Sequence, residues 1–148
     1  MAAFVFHCKA YRSRHWIRIM GYEKLTSIEK KFYLAEIERV LVCNKLFLKN
    51  EFSLPDLAKE TGIQLHTISY LINMEINHHF TDYINLKRID YFKGKINDAA
   101  WKGLTVEKMI LASGFKSRIT GYRAFKKHLG IAPSEYLKSC KIHSASAF

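Results

Sequence analysis

The sequence predicts an all-α fold, and three observations carry the expectation. Stretches with apolar residues at helical spacing follow one another along the chain. Thr26, Ser53, Thr105 and Ser117 stand where four of them open, residue types whose side-chain oxygens cap the free amides of a first turn. Gly62, Gly114 and Gly130 stand where a helix has to stop, because glycine enters the left-handed conformation of a helix C-terminus at no steric cost. Both prolines of the chain, Pro55 and Pro133, fall in expected first turns, where the missing amide hydrogen would have had no partner.

Residues 1–22 do not fit this scheme. Phe4-Val5-Phe6 is followed by a basic, aromatic stretch holding Lys9, Arg12, Arg14, His15, Trp16 and Arg18. Three readings stay open. One is a cleavable signal, whose charges would follow its apolar residues in the reverse of the usual order. A second is an amphipathic segment lying on a membrane surface. A third is the remnant of a longer protein whose sensing or membrane domain is absent from this chain. Plain disorder is the alternative to all three.

The first firm helix opens at Thr26, where Thr26-Ser27-Ile28-Glu29 fits a capping box. Ile28, Phe32, Ala35, Val40 and Phe47 recur near helical spacing, which predicts that they form the buried face of a helix running to about Leu48. Asn50 and Glu51 turn the chain. Ser53 caps the next helix, with Leu54, Leu57 and Ala58 inward, and Thr61-Gly62 ends it. The small side chain of Ala58 lets the following helix cross closely. That helix begins near Gln64 and continues through Met74, with Ile63, Ile68, Leu71 and Ile72 inward and His66, Thr67, Ser69, Tyr70 and Asn73 outward. Phe80 to Asn97 reads as a longer helix with Phe80, Ile84, Phe92 and Ile96 on one stripe. Arg88 lies on the same stripe, and a buried guanidinium must find partners. Residues 97–103 read as a loop, and Thr105 caps a helix from Val106 to Ser113.

Gly114-Phe115 then stops one helix and turns the chain, and Ser117 caps the next. The new helix has a basic face of Arg118, Arg123, Lys126 and Lys127 and an apolar flank of Ala124, Phe125 and Leu129. Gly130 stops it, and Pro133 starts another short helix through Tyr136 and Leu137. Helix, tight turn and basic amphipathic helix are the pattern of a helix-turn-helix DNA reader. The pattern occurs twice. Aligning Ile72 with Phe125, an offset of 53 residues, puts Gln64 on Ser117, Ile68 on Gly121, Ser69 on Tyr122 and Tyr70 on Arg123. One extra residue around Lys116 lengthens the second turn.

Gly114-Phe115, Arg123-Ala124-Phe125-Lys126-Lys127 and Gly130-Ile131-Ala132-Pro133-Ser134-Glu135-Tyr136 together resemble the signature of the AraC/XylS family of bacterial transcription regulators. The resemblance extends upstream through Ala58, Gly62, Phe80 and Arg88 and covers about Phe52 to Lys138. It implies two homeodomain-like helix-turn-helix subdomains joined by a long linker helix, with Arg88 in a structural role joining the halves. It also implies a regulator that is more often an activator, which places RNA polymerase among its partners. Residues 1–25 are then an N-terminal segment, 26–139 a DNA-binding domain and 140–148 a tail. Within the domain, 26–79 form the first unit, 80–97 the linker helix and 105–139 the second unit. Five positions depart from the family. Gly121 stands where a large apolar residue is usual, Ile119 where a polar one is common, Ile110 where a small alanine is usual, and Asn77 where a turn glycine is usual. Ile110 is expected to fill the space that a side chain at 121 would take. Asn77 tolerates the left-handed region, and Gln64 is a weaker cap than the usual serine.

Composition agrees with a polyanion as partner. The 148 residues carry a formal net charge of +11 and are 49% hydrophobic, enough for one domain with a core. Between Gly114 and Lys141 seven lysines and arginines face a single acid, Glu135. Cys8, Cys43 and Cys140 are an odd number, far apart, which reads as reduced thiols in a cytoplasmic protein. No His, Cys or carboxylate cluster has zinc spacing and no cysteine sits beside a base, so neither cofactor, metal nor enzyme chemistry is expected. The expected activity is sequence-specific binding of double-stranded DNA. Base readout is assigned to His66, Ser69 and Tyr70 in the first unit and to Arg118, Tyr122 and Arg123 in the second. Lys116, Lys126, Lys127 and the recognition-helix amides are assigned to phosphates, and Gln64, Thr67, Ser117 and Thr120 complete the DNA-contacting set. A membrane-docked interaction module using residues 1–22 is the alternative.

Overall fold

The computed structural model describes residues 25–145. The readings of residues 1–24, with Cys8, and of 146–148 fall outside it. Seven α-helices and two short 3-10 turns are seen among the described residues. They are α1 Ser27–Cys43, a 3-10 turn at Leu46–Leu48, α2 Leu54–Thr61, α3 Leu65–Met74 and α4 Phe80–Lys95. A second 3-10 turn at Ala99–Trp101 is followed by α5 Val106–Ala112, α6 Arg118–Leu129 and α7 Pro133–Ala145.

The caps form as the sequence grammar requires. Thr26 with Glu29 and Ser53 with Asp56 make capping boxes, and the Thr105 hydroxyl accepts from the Lys108 amide. Gly62 and Gly130 take left-handed φ values of 69° and 74° at the ends of α2 and α6. Asn77 also lies in the left-handed region, at φ 58°.

Helix α1 differs from its expected form in two respects. It ends at Cys43, because Lys45 turns left-handed and the chain tightens into the turn at Leu46–Leu48. Its buried face is Tyr33, Ile37, Val40 and Leu41, while Ile28, Phe32 and Ala35 are exposed. Two stripes at helical spacing run along this helix, and α2, α3 and the first 3-10 turn pack against only one of them. Three further differences concern the linker helix, the loop after it and the last helix. The linker helix stops at Lys95, the loop after it holds a 3-10 turn that buries Trp101, and α7 continues to Ala145, past the short helix expected.

Two cores result, and α4 belongs to both. Tyr83 and Ile84 complete a cluster with Ile37, Leu41, Leu57, Ile68, Leu71 and Ile72, whereas Ile89 and Phe92 join Trp101, Ile110, Phe115 and Phe125. Arg88 sits between them at 8% exposure. Its Nε donates to the Phe47 carbonyl at 2.7 Å and Nη2 to that of Lys49 at 2.8 Å, both in the first unit. The guanidinium lies 5.6 Å from the ring centre of Phe115 in the second unit. The expected partners are thus backbone carbonyls and an aromatic face, and one side chain touches both units.

The two helix-turn-helix cores solve one packing problem with side chains exchanged. In the first, the two positions hold small Ala58 and large Ile68; at the matching positions of the second, Ile110 is large and Gly121 has no side chain. A Cβ built on Gly121 would lie 2.4 Å from Ile110 Cγ2. Ile110 is fully buried, and its Cγ2 is attached directly to the branched Cβ, so the clashing atom is not a flexible end that can swing away. Gly121→Ala is therefore expected to lower the stability by about 1–3 kcal/mol by overpacking, against the gain of up to ~1 kcal/mol that alanine brings to an ordinary helix interior. The double variant Ile110→Ala, Gly121→Ile, which copies the first unit, is expected to melt well above Ile110→Ala alone. Thermal melts of the variants decide the matter, and a Gly121→Ala chain as stable as the parent would exclude the packing explanation.

Candidate nucleic-acid interface

Each helix-turn-helix unit presents the outer face of its second helix. In α3, Ile68, Leu71 and Ile72 are fully buried, which turns His66 and Asn73 outward and leaves Ser69 and Tyr70 half-buried beside them. Leu65, His66, Ser69, Tyr70, Asn73 and Met74 line one shallow groove. Thr67 lies on the flank of the helix, half-buried, and does not line it. Gln64 occupies the N-cap with no side-chain hydrogen bond, so the first-turn amides of α3 are not capped by it. This helix carries no charged side chain. A cation comes from α1 instead: Lys30 Nζ lies 5.5 Å from the Tyr70 ring centre and 2.7 Å from Glu75 Oε1.

In α6 the inward face is Gly121, Ala124 and Phe125, which turns Arg118, Ile119, Thr120, Arg123, Lys126 and Lys127 outward. Ser117 and Thr120 cap one another. The Ser117 hydroxyl accepts from the Thr120 amide at 3.2 Å, and the Thr120 hydroxyl accepts from the Ser117 amide at 3.0 Å. Their role in the free chain is to fix the start of the helix. The Arg118 guanidinium stacks on the ring of Tyr122, 5.1 Å from its centre. Arg123 is exposed and has no charged or hydrogen-bonding partner among the described residues.

The three lysines assigned to phosphates are already paired. Lys116 meets Glu51 at 3.0 Å, Lys126 meets Glu135 at 3.5 Å, and Lys127 donates to both oxygens of Asp82 at 2.6 and 2.8 Å. Lys127, bound in this way, holds the Asp82 carboxyl below the usual carboxylate range. His128 Nε2 lies 3.4 Å from the same carboxylate, and its ring stands edge-on to that of His78. Glu135 also accepts from the Ala132 amide at 2.7 Å, which ties it to the start of α7. All three lysines are more than half exposed, so each pair is screened by water and salt, adds little stability and is readily exchanged for another anion.

Lys30, Ile119 and the acids Glu51 and Asp82 are not in the DNA-contacting set that the sequence predicts. Ile119 stands out in the sequence as a departure from the family, and its exposure in the structure places it on the outer face of α6. The partners of Lys116 and Lys127 lie 65 and 45 residues away along the chain, a separation that no local pattern reports. Among the described residues no group of three or more His, Cys, Asp or Glu could hold a metal ion, and no helix is long and apolar enough to cross a membrane.

A family model described as a helix-turn-helix domain matches residues 57–139, more than half of the chain. A protein of unknown function from Listeria innocua is similar in structure at a TM-score of 0.56 and 30% identity, over 69% of this chain and 94% of that one. The DNA-binding domain of AdpA, a global transcriptional factor whose crystal structure is in complex with a target DNA, is similar at a TM-score of 0.63. Its identity is 16%, over 77% of this chain and 97% of that one, and the likeness is one of fold. No curated protein matches the sequence.

Proposed function

The chain belongs to the AraC-type helix-turn-helix family, and from that premise we propose that it is a transcription regulator that binds double-stranded DNA sequence-specifically through two successive major-groove segments. The observation that carries the proposal is the outer face of α6. There a capped helix start, an arginine without a partner among the described residues and exposed lysines lie on the side opposite the core. The complex of the AdpA domain with DNA supports the same use of the fold.

In this reading residues 26–139 form the DNA-binding domain. Arg118, Tyr122 and Arg123 read bases from α6, while His66, Ser69 and Tyr70 read them from α3. Arginine suits the O6 and N7 edge of guanine by a bidentate fork. Lys116, Lys126 and Lys127 leave their carboxylates for phosphates. Activation through RNA polymerase is part of the same proposal.

Selection of bound sequences from a random duplex library, followed by footprinting of the winner, is the direct experiment. Affinity for that duplex is expected to fall with salt at a slope steeper than about −4 in log K against log salt, since each phosphate neutralised contributes about −0.9. Arg123→Ala is expected to cost about 1–3 kcal/mol at one preferred base pair. Lys126→Ala is expected to weaken all duplexes alike and to flatten the slope. Salt-independent binding would refute the electrostatic basis, and an Arg123→Ala loss uniform over all sequences would make Arg123 a phosphate clamp.

A further inference from the structure

Ile119 occupies the second position of α6 and is 62% exposed. Single apolar residues on a surface are common, and what marks this one is where it stands. Its neighbours on the helix surface at i+4 and i+7 are Arg123 and Lys126, both exposed, so an isoleucine sits within the basic face of the helix. The core has no use for it, because Gly121, Ala124 and Phe125 fill the inward side. At the offset of 53 residues it matches His66, which is exposed at the second position of α3.

We propose that Ile119 is a specificity-determining residue that reads the 5-methyl group of a pyrimidine in the major groove. The inference rests on the DNA-binding reading above and adds a ligand chemistry to it. Residues in the first turns of a recognition helix are those that reach base edges. Four carbons of isoleucine offer no donor or acceptor, and the apolar feature of the major-groove edge is the C5 methyl of thymine. 5-Methylcytosine presents the same group at the same place. Contact removes both apolar surfaces from water, so a duplex carrying the methyl binds more tightly than one without it.

The test uses the full chain and the selected duplex. Each thymine in the half-site of the second unit is replaced in turn by deoxyuridine, which deletes the methyl and leaves every hydrogen-bonding group in place. In parallel each cytosine is replaced by 5-methylcytosine. One position is expected to respond by roughly four-fold in Kd, the value of about one buried methyl group. Response in the thymine arm assigns thymine as the source of the methyl, and response in the cytosine arm assigns 5-methylcytosine. Ile119→Ala is expected to bind methylated and unmethylated duplexes equally while keeping the parent's melting temperature and salt slope. Ile119→Val is expected to keep the discrimination. A parent chain indifferent to the methyl at every position, or a discrimination that persists in Ile119→Ala, would overturn the inference. A parent that binds no duplex at all overturns the DNA-binding reading and this one with it, whereas a parent that binds and ignores the methyl overturns this one alone.

Discussion

Gly114→Ala is expected to remove at least about 3 kcal/mol of stability, a large part of the 5–15 kcal/mol that holds a domain of this size together. Two costs add. Gly114 has φ 88°, a conformation that a residue with a Cβ adopts only with strain of about 1–2 kcal/mol. The Cβ would also lie 2.6 Å from Leu48 Cα, 2.6 Å from the Phe47 carbonyl oxygen and 2.8 Å from that of Leu48. These are backbone atoms, and no rotamer change can move them. Gly62 is the control built into the same fold. It has φ 69° at the matching turn of the first unit, and nothing lies within 4 Å of its Cβ position. Gly62→Ala therefore incurs the conformational cost alone. Denaturant unfolding of both variants separates the terms, and equal losses would show that the close approach at Gly114 contributes nothing.

Gly114 also shows why some of this molecule was readable in sequence and some was not. As a helix stop it was visible, because helix punctuation is local: a cap and its amide lie three residues apart, and Thr26, Ser53, Thr105 and Ser117 all cap as expected. As the place where the second unit presses on the first it was not, since Phe47 and Leu48 lie more than sixty residues upstream. The same limit explains α1. Ile28, Phe32 and Ala35 have the spacing of a buried face, as do Tyr33, Ile37 and Val40, and only the elements that pack there choose between the stripes. Arg88 stands out in the sequence because a charge on an apolar stripe contradicts its surroundings, and its contacts with Phe47, Lys49 and Phe115 resolve the contradiction. At the candidate interface, reading outward polar residues found the face of α6. Outward polarity does not mark apolar Ile119 as part of that face, and it gives no sign that Lys116 and Lys127 are held by acids from other elements.

Inserting five base pairs between the two footprinted half-sites is expected to reduce binding to that of a single unit, a loss of roughly 10²–10⁴-fold when the second contact is no longer intramolecular. The expectation follows from how the units are joined. Helix α4 spans about 24 Å and gives side chains to both cores. Arg88 bonds to one unit and stacks on the other, Gly114 lies against the first 3-10 turn, and Lys127 on α6 pairs with Asp82 at the start of α4. An edge-on chain of rings from Phe47 through Tyr91 to Trp101 crosses the same junction. Units fixed by so many contacts cannot search for their sites separately. Major-groove faces on one side of B-DNA recur about every 34 Å, or roughly 10–10.5 base pairs, so five extra pairs turn the second half-site to the opposite side. A full-turn insertion restores the side but lengthens the separation beyond what a rigid linker spans, and it is not expected to restore affinity. Some bending of the parent duplex is expected as well, since straight DNA has no reason to match the protein's spacing. Dissociation constants for the three duplexes at one salt concentration decide the matter. Affinity that survives the five-pair insertion would mean that the units move independently or that only one reads DNA. Repeating the measurement with Arg123→Ala then tells these apart: a second unit that takes no part in binding is indifferent to the change.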